Sequence, residues 1–123
     1  MRDFKGLIVW EKAHTFVLEV YNVTRAFPSE ERYGLTAQLR KAAASIPTNI
    51  AEGCGRDSEP DFARFLSIAS GSASESEYHL LLARDLDYLP NSDHERLDGL
   101  VNELKKMLGA FRRKLAEPTT SKS

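Results

Sequence analysis

The residues best suited to chemistry in this chain are three histidines, a single cysteine and a scatter of carboxylates. Glu11 and His14 stand three apart. At that spacing one helix offers a carboxylate and an imidazole to the same metal ion. A di-metal bundle site needs a second such pair and two further inward carboxylates. Glu75 is followed at the third position by Tyr78, with His79 one residue later, and His94 falls in a turn. The half-motif therefore reads as surface or interface residues, and neither a metal site nor any other cofactor is expected. A metal-carrying or catalytic bundle using Glu11, His14, Glu75 and His79 stands as the alternative function.

Cys54 sits in "EGCGR". A phosphate loop of the Gly-x-x-x-x-Gly-Lys-Ser/Thr kind needs a lysine that does not follow here. As a nucleophile, Cys54 would need a base and an oxyanion hole, and no spacing positions either. It reads as a packed or half-exposed bystander thiol, and the chain does not read as an enzyme. One cysteine also excludes an internal disulfide and a thiolate metal cluster.

The remaining chemistry is electrostatic. Lys105, Lys106, Arg112, Arg113 and Lys114 crowd the last helical pattern. The seven-residue steps from 105 to 112 and from 106 to 113 stack these cations opposite Leu104, Leu108, Phe111 and Leu115. One reading is a phosphate-contacting stripe for nucleic acid. The other is a solvated face with cations near a helix C-terminus.

Four helical patterns must position these groups. The first runs from about Leu7 to Phe27, with Ala13, Phe16, Val17, Val20, Val23 and Phe27 at three- and four-residue spacing. Pro28 stops it, and Ser29 is a plausible cap for the second, with Glu30 and Glu31 in the first turn. The second carries Leu35, Leu39, Ala42, Ala43, Ile46 and Ile50. In the third, Ser58 with Asp61 resembles a capping box and Pro60 suits a first turn. That segment extends to about Leu89, with Phe62, Leu66, Ala69, Ala73, Leu80 and Ala83 on one stripe, widened by Phe65, Ile68, Leu82, Leu86 and Leu89. Its middle, "ASGSASES", reads as a place where another backbone approaches, which would offset the helical cost of Gly71, about 1 kcal/mol. Ser92 with Glu95 forms a capping box for the fourth, whose Leu97, Leu100, Val101, Leu104, Met107, Leu108, Phe111 and Leu115 follow near-heptad spacing.

No segment alternates at period two. The expected fold is all-α: an antiparallel up-down-up-down four-helix bundle over residues 1–117, with a disordered polar tail over 118–123. Trp10, Tyr21, Tyr33, Tyr78 and Leu81 lie off the main seams. Surplus apolar surface of this kind points to self-association.

The stretch "AAASIPTNIAEGCGR" begins as helix and then places Pro47 where an interior proline costs about 3 kcal/mol. It reads as a proline kink in the second helix. Ser45 or Thr48 would bond the backbone groups freed there. Asn49 and Glu52 would tie the segment to a neighbouring helix or subunit, through Arg40 or Arg56, with Gly53 and Gly55 ending the helix. The other reading keeps a true break, with Asn49 capping a new turn and Glu52 closing the box.

At 123 residues and 41% hydrophobic, the chain is one domain with enough apolar side chains for a core. The formal charge of −1 gives no global attraction to nucleic acid or membrane. It is unevenly placed: +2 over residues 1–56, −7 over 57–99 and +4 over 100–123. The opening "MRDFKGLIVWEKAH" is neither a signal peptide nor a membrane span, so the expected compartment is the cytoplasm.

"LIVWEKAHTFVLEVY", "FPSEERYGLTAQLRKAAASIPTNIAEGCGR", "FARFLSIASGSASESEYHLLLARDLDYL" and the final Leu-rich helix follow one another in an order that resembles the bacterial 23S rRNA intervening-sequence proteins, over about residues 4–115. The central "SIPxNIAEGxGR" pattern carries the likeness through Ser45, Ile46, Pro47, Asn49, Ile50, Ala51, Glu52, Gly53, Gly55 and Arg56. The resemblance implies a four-helix bundle that assembles as a ring, a homopentamer, and brings no catalytic residues. It extends to the accessory protein of diversity-generating retroelements, a basic pentameric bundle that binds nucleic acid and a reverse transcriptase. Two features depart from the pattern: Cys54 stands where the family prefers an aromatic, and the near-neutral charge differs from that basic relative. Residues and resemblance together point to a non-catalytic, ring-forming scaffold or adaptor associated with RNA or a nucleic-acid enzyme. A module binding partner peptides without nucleic acid is a further alternative.

Overall fold

A computed structural model describes residues 2–117; the polar tail expected over 118–123 lies outside the described residues. A short 3₁₀ turn, Phe4–Gly6, precedes four α-helices: α1 (Ile8–Thr24), α2 (Leu35–Cys54), α3 (Glu59–Asp85) and α4 (Asn91–Ala116). There is no strand among the described residues. Each helix packs on its neighbours in sequence and α1 also packs on α4, while the backbones of α1 and α3 do not come close. The result is a four-helix bundle around one core.

The apolar periodicity explains that core. Phe16 and Val20 of α1, Leu39, Ile46 and Ile50 of α2, Leu66 and Leu80 of α3, and Leu97, Val101, Leu104 and Leu108 of α4 are fully buried. Each such side chain contributes about 1.5–3 kcal/mol relative to exposure. Small residues set the closest approach: Ala43 on α2 and Ala69 and Ala73 on α3 are completely covered. Ion pairs lace the outer seam of α1 and α4, where Lys12 meets Glu103 at 3.4 Å and Arg96 meets Glu19.

The element ends differ from several expectations. Ser29 does not cap the second helix. Ser29–Glu31 is a 3₁₀ turn, and α2 starts at Leu35. The Glu31 carboxylate supplies the cap, accepting from the Leu35 N–H at 2.9 Å. Gly34 leaves room for this carboxylate, since a Cβ there would lie 2.7 Å from Glu31 Oε1 and displace it. The other Glu31 oxygen accepts from the Tyr88 hydroxyl at 3.1 Å, so this one carboxylate ties the start of α2 to the turn after α3.

Ser58 does cap α3, accepting from the Asp61 N–H at 3.2 Å. α3 stops at Asp85, four residues short of Leu89. Asp87 adopts a left-handed conformation with φ 63°. The Asp87 N–H returns to Arg84 O and the Tyr88 N–H to Ala83 O, each at 2.9 Å, which closes the helix as a Schellman motif. The Ser92–Glu95 box is absent: α4 starts at Asn91 after Pro90, and no side chain caps it. Two residues assigned to the third apolar stripe face outward, Ile68 at 42% and Leu86 at 44% exposure. Within the single bundle Gly71 is not a point of close approach, since a Cβ there would meet nothing within 4 Å.

Candidate functional site

The Ala42–Arg56 motif occupies the second half of α2, which is assigned as one helix from Leu35 to Cys54 with Pro47 buried inside it. Asn49 does not cap a new turn. Its Nδ2 donates to the Ser45 carbonyl at 2.8 Å and to Ser45 Oγ at 2.9 Å. Accepting from Asn49 leaves the Ser45 hydroxyl proton free, and Ser45 Oγ shares a 2.7 Å hydrogen bond with Ser72 Oγ on α3. Ser76, fully buried, donates to the Ser72 carbonyl at 2.9 Å. The polar residues of the motif thus join the small-residue stretch of α3 in a single network across the α2–α3 interface.

The other motif residues divide by surroundings. Glu52 is exposed. Gly53 is buried in the last turn of α2, where a Cβ would lie 2.6 Å from Phe62 Cδ1 and 3.0 Å from Phe65 Cβ. Its missing side chain admits the first turn of α3. Gly55 follows the last helical residue, and the Cys54 carbonyl accepts from the Arg2 N–H at 3.0 Å. The Arg56 guanidinium lies over the Phe65 ring at 4.7 Å and its Nε sits 3.9 Å from Asp61. Arg40 turns the other way, to α1, donating to Thr24 Oγ1 at 2.7 Å and covering the Tyr21 ring at 4.6 Å.

Cys54 is buried, and that burial pushes its thiol above the ordinary value. A thiol held in its protonated form is a poor nucleophile. His14 is exposed and stacks on Trp10 with ring centroids 5.2 Å apart. His79 is buried with Nε2 4.0 Å from Glu75 and Nδ1 without a hydrogen-bond partner among the described residues. Glu11 and His14 on α1 and Glu75 on α3 are exposed, while His79 is buried, and no cluster of three or more such groups forms among the described residues.

The basic residues of α4 are not equivalent. Lys105 is committed to α3, its Nζ donating to Glu77 Oε1 at 2.8 Å, while Asn102 Nδ2 donates to the other Glu77 oxygen at 3.2 Å. The Lys105 hydrogen bond holds the Glu77 carboxyl below the usual carboxylate range. Lys106, Arg112, Arg113 and Lys114 are exposed. Sequence spacing could not separate Lys105 from Lys106, because the separation depends on which flank of α4 faces α3.

No helix among the described residues is long and apolar enough to cross a membrane. Among the same residues, no group of three or more His, Cys, Asp or Glu side chains could hold a metal ion.

No curated protein matches the chain. Among solved structures, the chain is similar to a protein of unknown function from the S23 ribosomal protein family of Bacteroides thetaiotaomicron VPI-5482, a crystal structure at 1.70 Å resolution. The two are 25% identical and superpose with a TM-score of 0.81 over 86% of this chain and 99% of that one. The family model described as 23S rRNA-intervening sequence protein matches residues 5–110, and a match over that much of a single bundle means that the chain belongs to this family.

Proposed function

We propose that this chain is a non-catalytic scaffold or adaptor subunit that assembles with copies of itself and associates with RNA or a nucleic-acid-processing protein in the cytoplasm. The observation that carries the reading is the placement of exposed apolar side chains. Ile8, Leu18 and Tyr21 stand out from α1, at 65%, 58% and 40% exposure. Ile68, Tyr78 and Leu81 stand out from α3, at 42%, 57% and 37%. The two helices are not adjacent in the bundle, so their outward patches lie on different sides. Two unlike patches on one subunit suit a head-to-tail contact, which closes into a ring when its rotation permits. Gly71 lies between Ile68 and Tyr78 with open space above it, which leaves room for a helix of a second copy.

The finer features of the reading are an up-down-up-down antiparallel order, a kink at Pro47 and a ring of five. The pairs Lys12–Glu103 and Glu19–Arg96 support the order for α1 and α4, because later residues of one meet earlier residues of the other. An interior proline supports the kink. The number five rests on the family resemblance. The exposed cations of α4 support a polyanion such as RNA as the partner. Light scattering on the purified chain tests the assembly: a single species of about five subunits is expected, and a monomer at every concentration would overturn it.

A further inference from the structure

The exposed cations of α4 do not stand alone. Arg112 and Arg113 line a groove of about 500 Å³ between α3 and α4, together with Arg64 from the start of α3. The floor is small: Ala63, Ser67, Gly109 and Ala116. Arg64 lies 48 residues before Arg112 and is separated from the terminal basic cluster by an acidic stretch, so sequence spacing gave no reason to join them.

One of the three guanidinium groups is held in place. Arg64 Nε donates to Asp61 Oδ1 at 2.9 Å, and its guanidinium covers the Phe65 ring at 4.5 Å. This grip uses the Nε edge and leaves the terminal nitrogens for a ligand. Arg113 folds back over Gly109, with one terminal nitrogen 3.4 Å from where a Cβ at Gly109 would be. Neither Arg112 nor Arg113 forms an ion pair among the described residues, whereas Lys105 is held by Glu77 farther along the same seam. Beyond that pair the α3–α4 surface carries the Asp98 carboxylate beside Tyr78 and His94.

Resting on the nucleic-acid reading above, we infer that the Arg64–Arg112–Arg113 groove is the phosphate-binding element of this protein, gripping the backbone of an RNA strand. Planar guanidinium forks match phosphate oxygens in pairs, and the pre-ordering of Arg64 reduces what binding must immobilise. The small floor lets the backbone approach without reading a base, so recognition is independent of sequence. The Asp98 carboxylate farther along the seam repels the same strand. The strand therefore crosses the basic end of the bundle and does not run along it, and the footprint is a few phosphates.

The test is titration of the full chain with a fluorescent single-stranded RNA homopolymer at several salt concentrations, for wild type, Arg64→Gln, Ser67→Glu and Arg25→Gln. Arg64→Gln should weaken binding at least fivefold and lower the salt slope by about 0.7, the share of one phosphate contact on a single strand. Ser67→Glu, which adds a carboxylate to the groove floor without removing an arginine, should weaken it at least tenfold. Arg25→Gln, outside the groove, should bind as wild type, and circular dichroism should show unchanged helix in all four. If wild type binds and both groove variants match it, the groove assignment is wrong while the nucleic-acid reading stands. If wild type does not bind at low salt, the nucleic-acid reading itself fails. Equal competition by polyglutamate of the same length would overturn the preference for phosphate.

Discussion

Ser45 on α2 and Ser72 on α3 share a 2.7 Å hydrogen bond, and Asn49 orients the Ser45 hydroxyl for it by donating to the same oxygen. The three side chains act as one unit in a half-buried seam. Ser45→Ala and Asn49→Ala should each lower unfolding stability by about 1 kcal/mol, the net worth of a typical protein hydrogen bond. The double variant should lose clearly less than the two losses combined, because both remove the same arrangement. Urea unfolding of the four proteins measures this. Full additivity would mean that Asn49 does not orient Ser45.

Gly53 faces a harder limit. A Cβ at 2.6 Å from the Phe62 ring must displace that ring, which itself packs edge-to-face on Phe111 at 5.3 Å between centroids. Gly53→Ala should destabilise the bundle by about 1–3 kcal/mol, in the range of core overpacking and against the usual helical preference for alanine. A Gly71→Ala control, where nothing lies within 4 Å, should instead match or exceed wild type in a monomeric unfolding assay. Both are read from thermal melts.

The Lys105–Glu77 pair sets a pH dependence. Glu77 has a folded-state pKa below its ordinary value of 4.5 because Lys105 donates to it. A depressed carboxyl pKa contributes stability that is fully present above the unfolded value and is lost as pH falls through the folded value. Glu77→Gln should therefore melt lower than wild type at pH 7, and the difference should shrink steadily below about pH 4.5. The effect is modest, about 0.2–1 kcal/mol, because both side chains are about one-third exposed. Melting both proteins at several pH values checks the sign.

Cys54 should be slow to alkylate. It is buried, and burial raises its thiol pKa, so both access and thiolate fraction are reduced. Iodoacetamide at pH 8 should modify it at least tenfold faster in urea than in the native state. Equal rates would show that the end of α2 opens freely.

The exposed apolar faces should report on assembly and not on folding. Ile68→Glu with Tyr78→Glu places two charges on the outer face of α3, where neither side chain contributes to the core. Light scattering should show dissociation to smaller species, with helix content unchanged by circular dichroism. A fully assembled double variant would remove α3 from the proposed contact.

The helices themselves were legible because the apolar repeat is a local property. Phe16 and Val20, Ile46 and Ile50, or Leu104 and Leu108 lie four apart, one turn along a single face, and burying that face forces the bundle. Where side chains compete for the same backbone group, legibility failed. Ser29 looked like the cap of α2, but Glu31 reaches Leu35 from the turn before it. Ser92 looked like the cap of α4, yet the helix begins one residue earlier behind Pro90. The end of α3 at Asp85 carried no glycine to mark it, since Asp87, two residues on, takes the left-handed conformation.

Helix content, the composition of the core and the "SIPTNIAEGCGR" family pattern were thus determined by the sequence alone, because each depends on residues within a turn or two of one another. Tertiary structure decided which polar groups meet. Ser45 found Ser72 across 27 residues and Lys105 found Glu77 across 28, and both pairings depend on how two helices lie against each other. The same packing turned a terminal run of cations into one residue paired with Glu77 and two that join Arg64, itself paired through Nε with Asp61, over a small-residue floor. Periodicity specifies the face that a helix buries; only the packed neighbour specifies what its flanks can touch.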